Sequence, residues 1–304
     1  MRRVSGSGVR VPGARGGTRR NAHRRPGRVV VHVILLLAAV VMVFPFFFMV
    51  ATACKDEAAF GKAELLPQTW HWRNFPDAWM YSDQPQAGLP WYRRGMTPNL
   101  LVSTAVAVAT TLLTVLLSAM GGFALAKHRF RGSGWCFAAI VATLMVPGQV
   151  TMVPNFVTIS RLGLYDSYLA LVLPALPLAF GIFLMRQFFL GVPDSLLEAA
   201  RIDGAGEWRT FFTVALPLCK PAMATLGIFT FMASWNSFLW PLIVLDSREK
   251  FTLPVALLRF MEQYVTKENY LMAVSALTIL PIALLFICFQ RAFLAGVATT
   301  GLKE

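Results

Sequence analysis

One polar stretch, residues 186–220, interrupts an otherwise apolar chain and holds its most regular motif. The motif runs Ser195-Leu196-Leu197-Glu198-Ala199-Ala200, then three residues ending in Asp203, then Gly204. After nine intervening residues follows Val214-Ala215-Leu216-Pro217. These residue types do recognition rather than catalysis. Ser195 and Glu198 have the spacing of a capping box, in which hydroxyl and carboxylate bond free amides at a helix start. A short helix over 196–203 is expected, with Gly204 as a left-handed stop after it. A second short helix from Glu207 to about Leu216 is expected to end at Pro217. Leu196, Leu197, Ala199 and Ala200 give the first helix a small, smooth apolar face, and Trp208, Phe211 and Phe212 give the second a bulky one. A solvated connector needs neither face, so the pair is expected to lie against a partner protein or against the inner membrane surface. Elsewhere, Gln149, Thr151, Asn155, Ser234, Asn236 and Ser237 place hydrogen-bonding groups in apolar surroundings, and Trp235 offers a stacking face. That set suits a neutral, hydroxyl-rich solute. It equally suits hydrogen bonds between helices.

The elements that must hold these residues are membrane helices. The chain has 304 residues, 56% of them hydrophobic, with a mean hydropathy of +0.58. Six stretches lack Asp, Glu, Lys and Arg: 29–53, 97–126, 135–160, 167–185, 221–245 and 271–290. The shortest has 19 residues, near the roughly 20 needed to cross a bilayer. The fold class is therefore an all-α membrane protein with six transmembrane helices in a domain over 29–304. Residues 1–28 form a basic, disordered tail by composition. Pro147 and Pro154, and Pro174 and Pro177, fall in neighbouring spans. The backbone groups they free must face protein or a water-filled cavity, which fits a bundle around a path and equally fits kinks that serve packing alone. Ser118 and Gly122 have a small-xxx-small spacing that permits close helix approach.

With the N-terminus in the cytoplasm, the inside segments hold 18 Lys and Arg and the outside segments 10. The net charge of +13 then lies wholly inside, as the positive-inside rule requires. Both termini are expected in the cytoplasm, and the basic tail reads as a topology anchor for a lipid membrane, not as a nucleic-acid arm. Ala51-Thr52-Ala53-Cys54 resembles a cleavage site, but 25 apolar residues before it exceed the roughly 7–15 of a cleavable signal, so an uncleaved first span is expected. Cys54, Cys136, Cys219 and Cys288 are too far apart for a disulfide framework or metal motif, and Cys54 is expected to be open to the outside. No metal site, Gly-rich phosphate loop or catalytic cluster occurs in the sequence.

The 198–217 motif resembles the "EAA" loop of ABC import permeases, with Val214 in place of the usual isoleucine. The resemblance extends over roughly 29–304 and includes Trp235-Asn236-Ser237-Phe238-Leu239-Trp240-Pro241-Leu242, Thr252-Leu253-Pro254-Val255 and the end around Gln290-Arg291 and Gly301-Leu302-Lys303. It is strongest to the smaller permease of carbohydrate importers of the maltose/glycerol-phosphate/trehalose type. The resemblance implies a type I ABC importer permease fold, with 186–220 as the cytoplasmic coupling loop. It implies a second homologous permease, an ATP-binding cassette ATPase dimer and an extracytoplasmic solute-binding protein as partners. No cofactor is expected on this chain, which is not itself an enzyme; ATP and Mg belong to the ATPase. Glu198, Ala199, Ala200, Asp203, Gly204, Leu216 and Pro217 would contact that ATPase. Gln149, Asn155, Trp235, Asn236 and Ser237 are the substrate-path candidates. The outside loop 246–270, around Glu262, Gln263 and Tyr264, would reach the binding protein.

Other classes fit less well. An ion-coupled secondary carrier usually needs an ionisable residue inside the membrane, and the six stretches have no Asp or Glu. Within ABC permeases, a polyamine path would want acidic groups and a phosphate path basic ones; a peptide is the remaining non-sugar cargo. A membrane enzyme lacks a catalytic constellation.

Overall fold

The computed structural model describes residues 26–57, 64–81, 88–263 and 267–301. The basic tail through residue 25, Tyr264 and residues 302–304 lie outside them. Pro26, whose fixed φ suits a first helical turn, opens α1 (Pro26–Ala53), so residues 26–28 are helical. The chain divides into two units, one up to Phe46 and one from Phe47 onwards; both hydrophobic core clusters lie in the second.

After α1 come a short α2 (Asn74–Met80) and the long α3 (Thr97–Lys127). Next are α4 (Ser133–Thr143) and α5 (Gly148–Arg161), bent by 100°. A second pair, α6 (Leu169–Val172), prolonged by one 3-10 turn, and α7 (Ala179–Leu190), is bent by 47°. The polar loop forms α8 (Asp194–Ile202), α9 (Glu207–Thr210), a π-turn over Phe211–Ala215, and α10 (Leu216–Leu218). An 80° bend then leads into α11 (Lys220–Trp235). The chain ends with α12 (Leu239–Val244), α13 (Leu253–Gln263) and α14 (Glu268–Gly301). Among the described residues, three helices are long and apolar enough to cross a membrane, and up to six spans result if each bent pair counts as one.

The bends follow from proline. Its ring lacks an N–H and clashes with the carbonyl four residues earlier, so a helix tends to stop there. Pro147 is four residues past Thr143, the last residue of α4. Pro177 is four past Leu173, where α6 gives way to a 3-10 turn. Pro241 is four past Ser237, inside the break between α11 and α12. The expected fifth span, 221–245, is therefore interrupted at 236–238. Pro45, Pro154 and Pro281 stay within their helices, so a proline alone does not force a break.

Helix α3 is the central rod. Its 31 residues reach about 46 Å at 1.5 Å each, and it contributes Val106 and Ala107 to one core cluster and Ala119 and Phe123 to the other. The Ser118–Gly122 spacing does bring it close to α7: a Cβ on Gly122 would lie 2.7 Å from the Met185 Cβ. Opposite, a Cβ on Gly181 would strike the Ser118 hydroxyl and come within 3.2 Å of Leu226. Cys54, expected to be open to the outside, is instead buried, as is Cys219. Asn74 closes over the end of α1 by donating to the carbonyls of Ala53 and Lys55 at 2.8 and 2.9 Å, which covers Cys54 between them.

Replacing Gly181 with leucine should destabilise the solubilised protein by about 1–3 kcal/mol, the usual cost of overpacking. Thermal unfolding in detergent measures this, and an unchanged midpoint would contradict the close α3–α7 contact.

Candidate functional site

The polar loop is built around one glycine. Gly204 has φ +81°, the left-handed region that L side chains disfavour. Its N–H donates to the Arg201 carbonyl at 3.0 Å, and the Ala205 N–H donates to Ala200 at 2.9 Å. These two bonds are the Schellman ending of a helix. The expected capping box is absent: α8 starts at Asp194, after Pro193 in extended conformation, and no side chain caps it. Pro193 and Asp194 already supply a helix start with an acidic first turn, so Ser195 falls inside the helix. Glu198 is instead exposed on its surface. Pro217 does not end the second helix either. The run continues to Leu218, with the Leu216 N–H reaching back five residues to Phe211 in the π-turn.

The loop has an anchored face and an open one. Leu197, Phe211 and Ala215 are buried in the second core cluster. Phe123 of α3 packs against Phe189 and Phe211, with ring centroids 5.3 and 5.2 Å apart. Lys127, in the last turn of α3, has a side chain only 6% exposed. Its ammonium donates to the Val192 carbonyl and to Asp194 Oδ1, both at 2.6 Å. Lys127 thus pins the start of α8 to the end of α3. The ammonium holds the Asp194 carboxyl below its usual range. Arg201 bridges to both oxygens of Glu207 at 2.9 and 3.2 Å, tying α8 to α9 and lowering the Glu207 pKa.

The open face carries Leu196, Ala199, Ile202, Asp203 and Trp208. Ile202 is 86% exposed and Trp208 65%. Ile202 was not among the motif residues. Its signal was available: it sits four residues after Glu198, and so on the same side of the helix. Of the motif residues, Ala200 is half-buried, while Leu216 and Pro217 lie beyond the π-turn, the one half-buried and the other exposed.

A second feature is a cavity of about 620 Å³ bordered by the proline breaks. Its wall includes Gly148, Pro174, Pro177, Ser237 and Pro241 from the breaks, and Val106 and Thr110 from the middle of α3. No charged side chain lines it. Of the five path candidates it brings together Asn155 and Ser237 and adds Ser234, but not Gln149, Trp235 or Asn236. Among the described residues, the polar side-chain atoms of Asn155 and Ser237 have no hydrogen-bond partner in the protein. Trp235 is 3% exposed, stacks on Phe231 with centroids 5.7 Å apart, and donates its indole N–H to Thr278. It is a packing residue in this structure. Gln149 and Asn236 are exposed beside two of the breaks. The sequence reading also missed Trp240, whose indole N–H donates to the Ala170 carbonyl at 2.9 Å, and the buried, unpartnered hydroxyls of Thr110, Thr230 and Thr252 beside the cavity.

The outside-loop candidates are only partly described. Glu262 pairs with Arg259 at 2.9 Å near the end of α13, and Gln263 closes that helix.

Residues 118–299, which contain both the loop and most of the cavity wall, match the family described as binding-protein-dependent transport system inner membrane component. Among relatives, an arabinooligosaccharides transport system permease protein, AraQ, of Halalkalibacterium halodurans is 40% identical over 72% of this chain and 76% of its own. An sn-glycerol-3-phosphate transport system permease protein, UgpE, of Pectobacterium atrosepticum is 34% identical over 90% of this chain and 97% of its own. A solved bacterial ABC transporter involved in the import of the acidic polysaccharide alginate superposes with a TM-score of 0.73. It is 25% identical in sequence and covers 88% of this chain and 97% of that one. With an uncharged cavity, an anchored loop with an exposed apolar face, and this likeness along its length, the chain belongs to the family of inner-membrane components of binding-protein-dependent transport systems.

Proposed function

We propose that this chain is one of two permease subunits of an ATP-driven importer for a sugar or sugar derivative. The observation that carries the proposal is the position of α3. Its last turn grips the 194–218 loop through Lys127 and Phe123, while its middle lines the cavity. A push on the loop therefore has a rigid route to the wall of the path. In this reading the exposed face of Glu198, Ala199, Ile202, Asp203 and Trp208 docks a separate ATPase, which supplies ATP and Mg chemistry. The 18-to-10 distribution of Lys and Arg supports placing the loop and both termini in the cytoplasm.

The cargo follows from the wall. A volume of about 620 Å³ lies within the roughly 300–1,000 Å³ of small-molecule sites. Amide and hydroxyl groups without charge favour a neutral polyol over a polyamine or phosphate. Among the relatives, the arabinooligosaccharides permease carries the name of an uncharged sugar, while the glycerol-3-phosphate and acidic-polysaccharide systems carry those of charged derivatives, so the names support the carbohydrate class and the uncharged wall supports its neutral members. A second permease would complete the path, and an external binding protein would deliver cargo; the resemblance of the 246–270 segment to the delivery loop of such permeases puts that contact near α13.

Four outcomes are expected for the loop. Gly204→Pro fixes φ near −65° and removes the N–H that bonds Arg201, so the ATPase should no longer co-purify although the permease still inserts. Gly204→Ala should act mildly: a Cβ there meets no atom within 4 Å, leaving only about 1–2 kcal/mol of backbone strain. Lys127→Met orphans the buried Val192 carbonyl and should cost about 1–3 kcal/mol. Asp194→Asn should have a smaller, salt-screened effect because that carboxylate is exposed. Wild-type co-purification and cargo-stimulated ATP hydrolysis with Gly204→Pro would contradict the docking role.

For the cavity, Asn155→Ala should lower uptake while basal ATP hydrolysis and assembly persist. A lost interhelical hydrogen bond costs only about 0.6 kcal/mol, so a large uptake defect in an assembled complex identifies a path residue. Normal uptake removes Asn155 from the path.

A further inference from the structure

One carboxylate outside both sites carries more hydrogen bonds than any surface role requires. Asp166 lies in the turn between α5 and α6. It has φ +55°, the single non-glycine residue with positive φ among the described residues. Asp tolerates this conformation better than most residues, yet it still needs the surroundings to hold it there. Every partner that holds it comes from 244–250. Its N–H donates to the Val244 carbonyl at 2.9 Å. Its Oδ1 accepts from the backbone N–H groups of Asp246 and Ser247 at 3.0 and 3.1 Å. Its Oδ2 accepts from the Ser247 hydroxyl at 2.5 Å and the Lys250 ammonium at 2.8 Å. Lys250 also donates to the Asp166 carbonyl at 2.7 Å. The Lys250 and Ser247 bonds hold the carboxyl far below the usual carboxylate range, so it stays ionised throughout the physiological range.

The segment it grips is the foot of α13. A single 3-10 turn over Arg248–Lys250 leads directly into that helix. Two side chains of α3 hold the same foot from another direction. Asn99 donates to the Phe251 carbonyl at 2.9 Å, and Ser103 accepts from the Leu253 N–H, an otherwise free helix-start amide, at 2.7 Å. Asp166 is chain-linked to α5 and α6, which contribute Asn155 and Leu171 to the cavity.

We propose that Asp166 is a positioning residue for solute delivery: its carboxylate latches the foot of α13 to the α5–α6 turn, presenting α13 to the solute-binding protein in one orientation. The proposal rests on the reading of α13 as the delivery loop. A loop released from its foot must be ordered again on each docking event, and that cost appears as weaker binding.

The test uses the whole transporter in proteoliposomes and titrates loaded binding protein while ATP hydrolysis is followed. Asp166→Ala should raise the half-maximal concentration about tenfold, equivalent to about 1.4 kcal/mol, and leave hydrolysis without binding protein unchanged. Asp166→Asn keeps an acceptor for the two backbone amides and should recover part of the loss. Lys250→Met should shift the curve the same way, by less, and decides the matter if Asp166→Ala does not assemble. Deletion of residues 262–266 tests the underlying reading separately. If the deletion shifts the curve and the Asp166 and Lys250 variants do not, the latch is wrong and the delivery loop stands. If nothing shifts, the delivery reading fails and the latch with it. A shift in the Asp166 variants beside a wild-type response of the shortened loop places the residue's role elsewhere and also overturns the proposal.

Discussion

The structure depends on what becomes of peptide groups that proline sets free in apolar surroundings. An unpaired amide or carbonyl there costs several kcal/mol, so a broken helix persists only where something else satisfies the backbone. Here the breaks near Pro147, Pro177 and Pro241 converge on one cavity. Side chains supply part of the missing bonding: Trp240 donates to Ala170, and Thr114 donates to Ala175. Space in the middle of the bundle is the consequence of those breaks, and the hydroxyls and amides of Asn155, Ser234 and Ser237 are what the sequence places in it.

Against these interrupted elements, the unbroken α3 is the common frame. It meets the 194–218 loop at Lys127, the cavity at Thr110 and the foot of α13 at Asn99 and Ser103. Close packing on α7 through Gly122 and Gly181 keeps it from sliding independently. Partner proteins on the two faces of the membrane would thus act on one rigid helix. Tight interiors transmit displacement because they cannot absorb it, and on the proposed reading that property would carry a push from a separate ATPase to the wall of the cavity.

Much of this was legible in the sequence. The apolar stretches gave the helices, and the spacing of Glu198, Gly204 and Pro217 marked the loop. Gly204 was readable because one backbone conformation requires it. Local rules misplaced the details. Ser195 and Glu198 satisfy the capping pattern, but Pro193 and Asp194 start the helix two residues earlier. Trp235 looks like a stacking platform, but rotation of α11 turns it into the core against α14, a tertiary fact that no spacing encodes. Asp166 gave no signal at all, because its partners lie about 80 residues away. Tyr264 lies outside the described residues.

The central claim is that ATP-derived force enters this chain through the open face of the 194–218 loop. The most direct measurement places a photo-crosslinking amino acid at Ile202, with a control at buried Leu197, in the assembled transporter. The account predicts an adduct between Ile202 and the ATPase subunit whose yield changes with ATP, and little from Leu197. Adducts from Ile202 to lipid alone would contradict it.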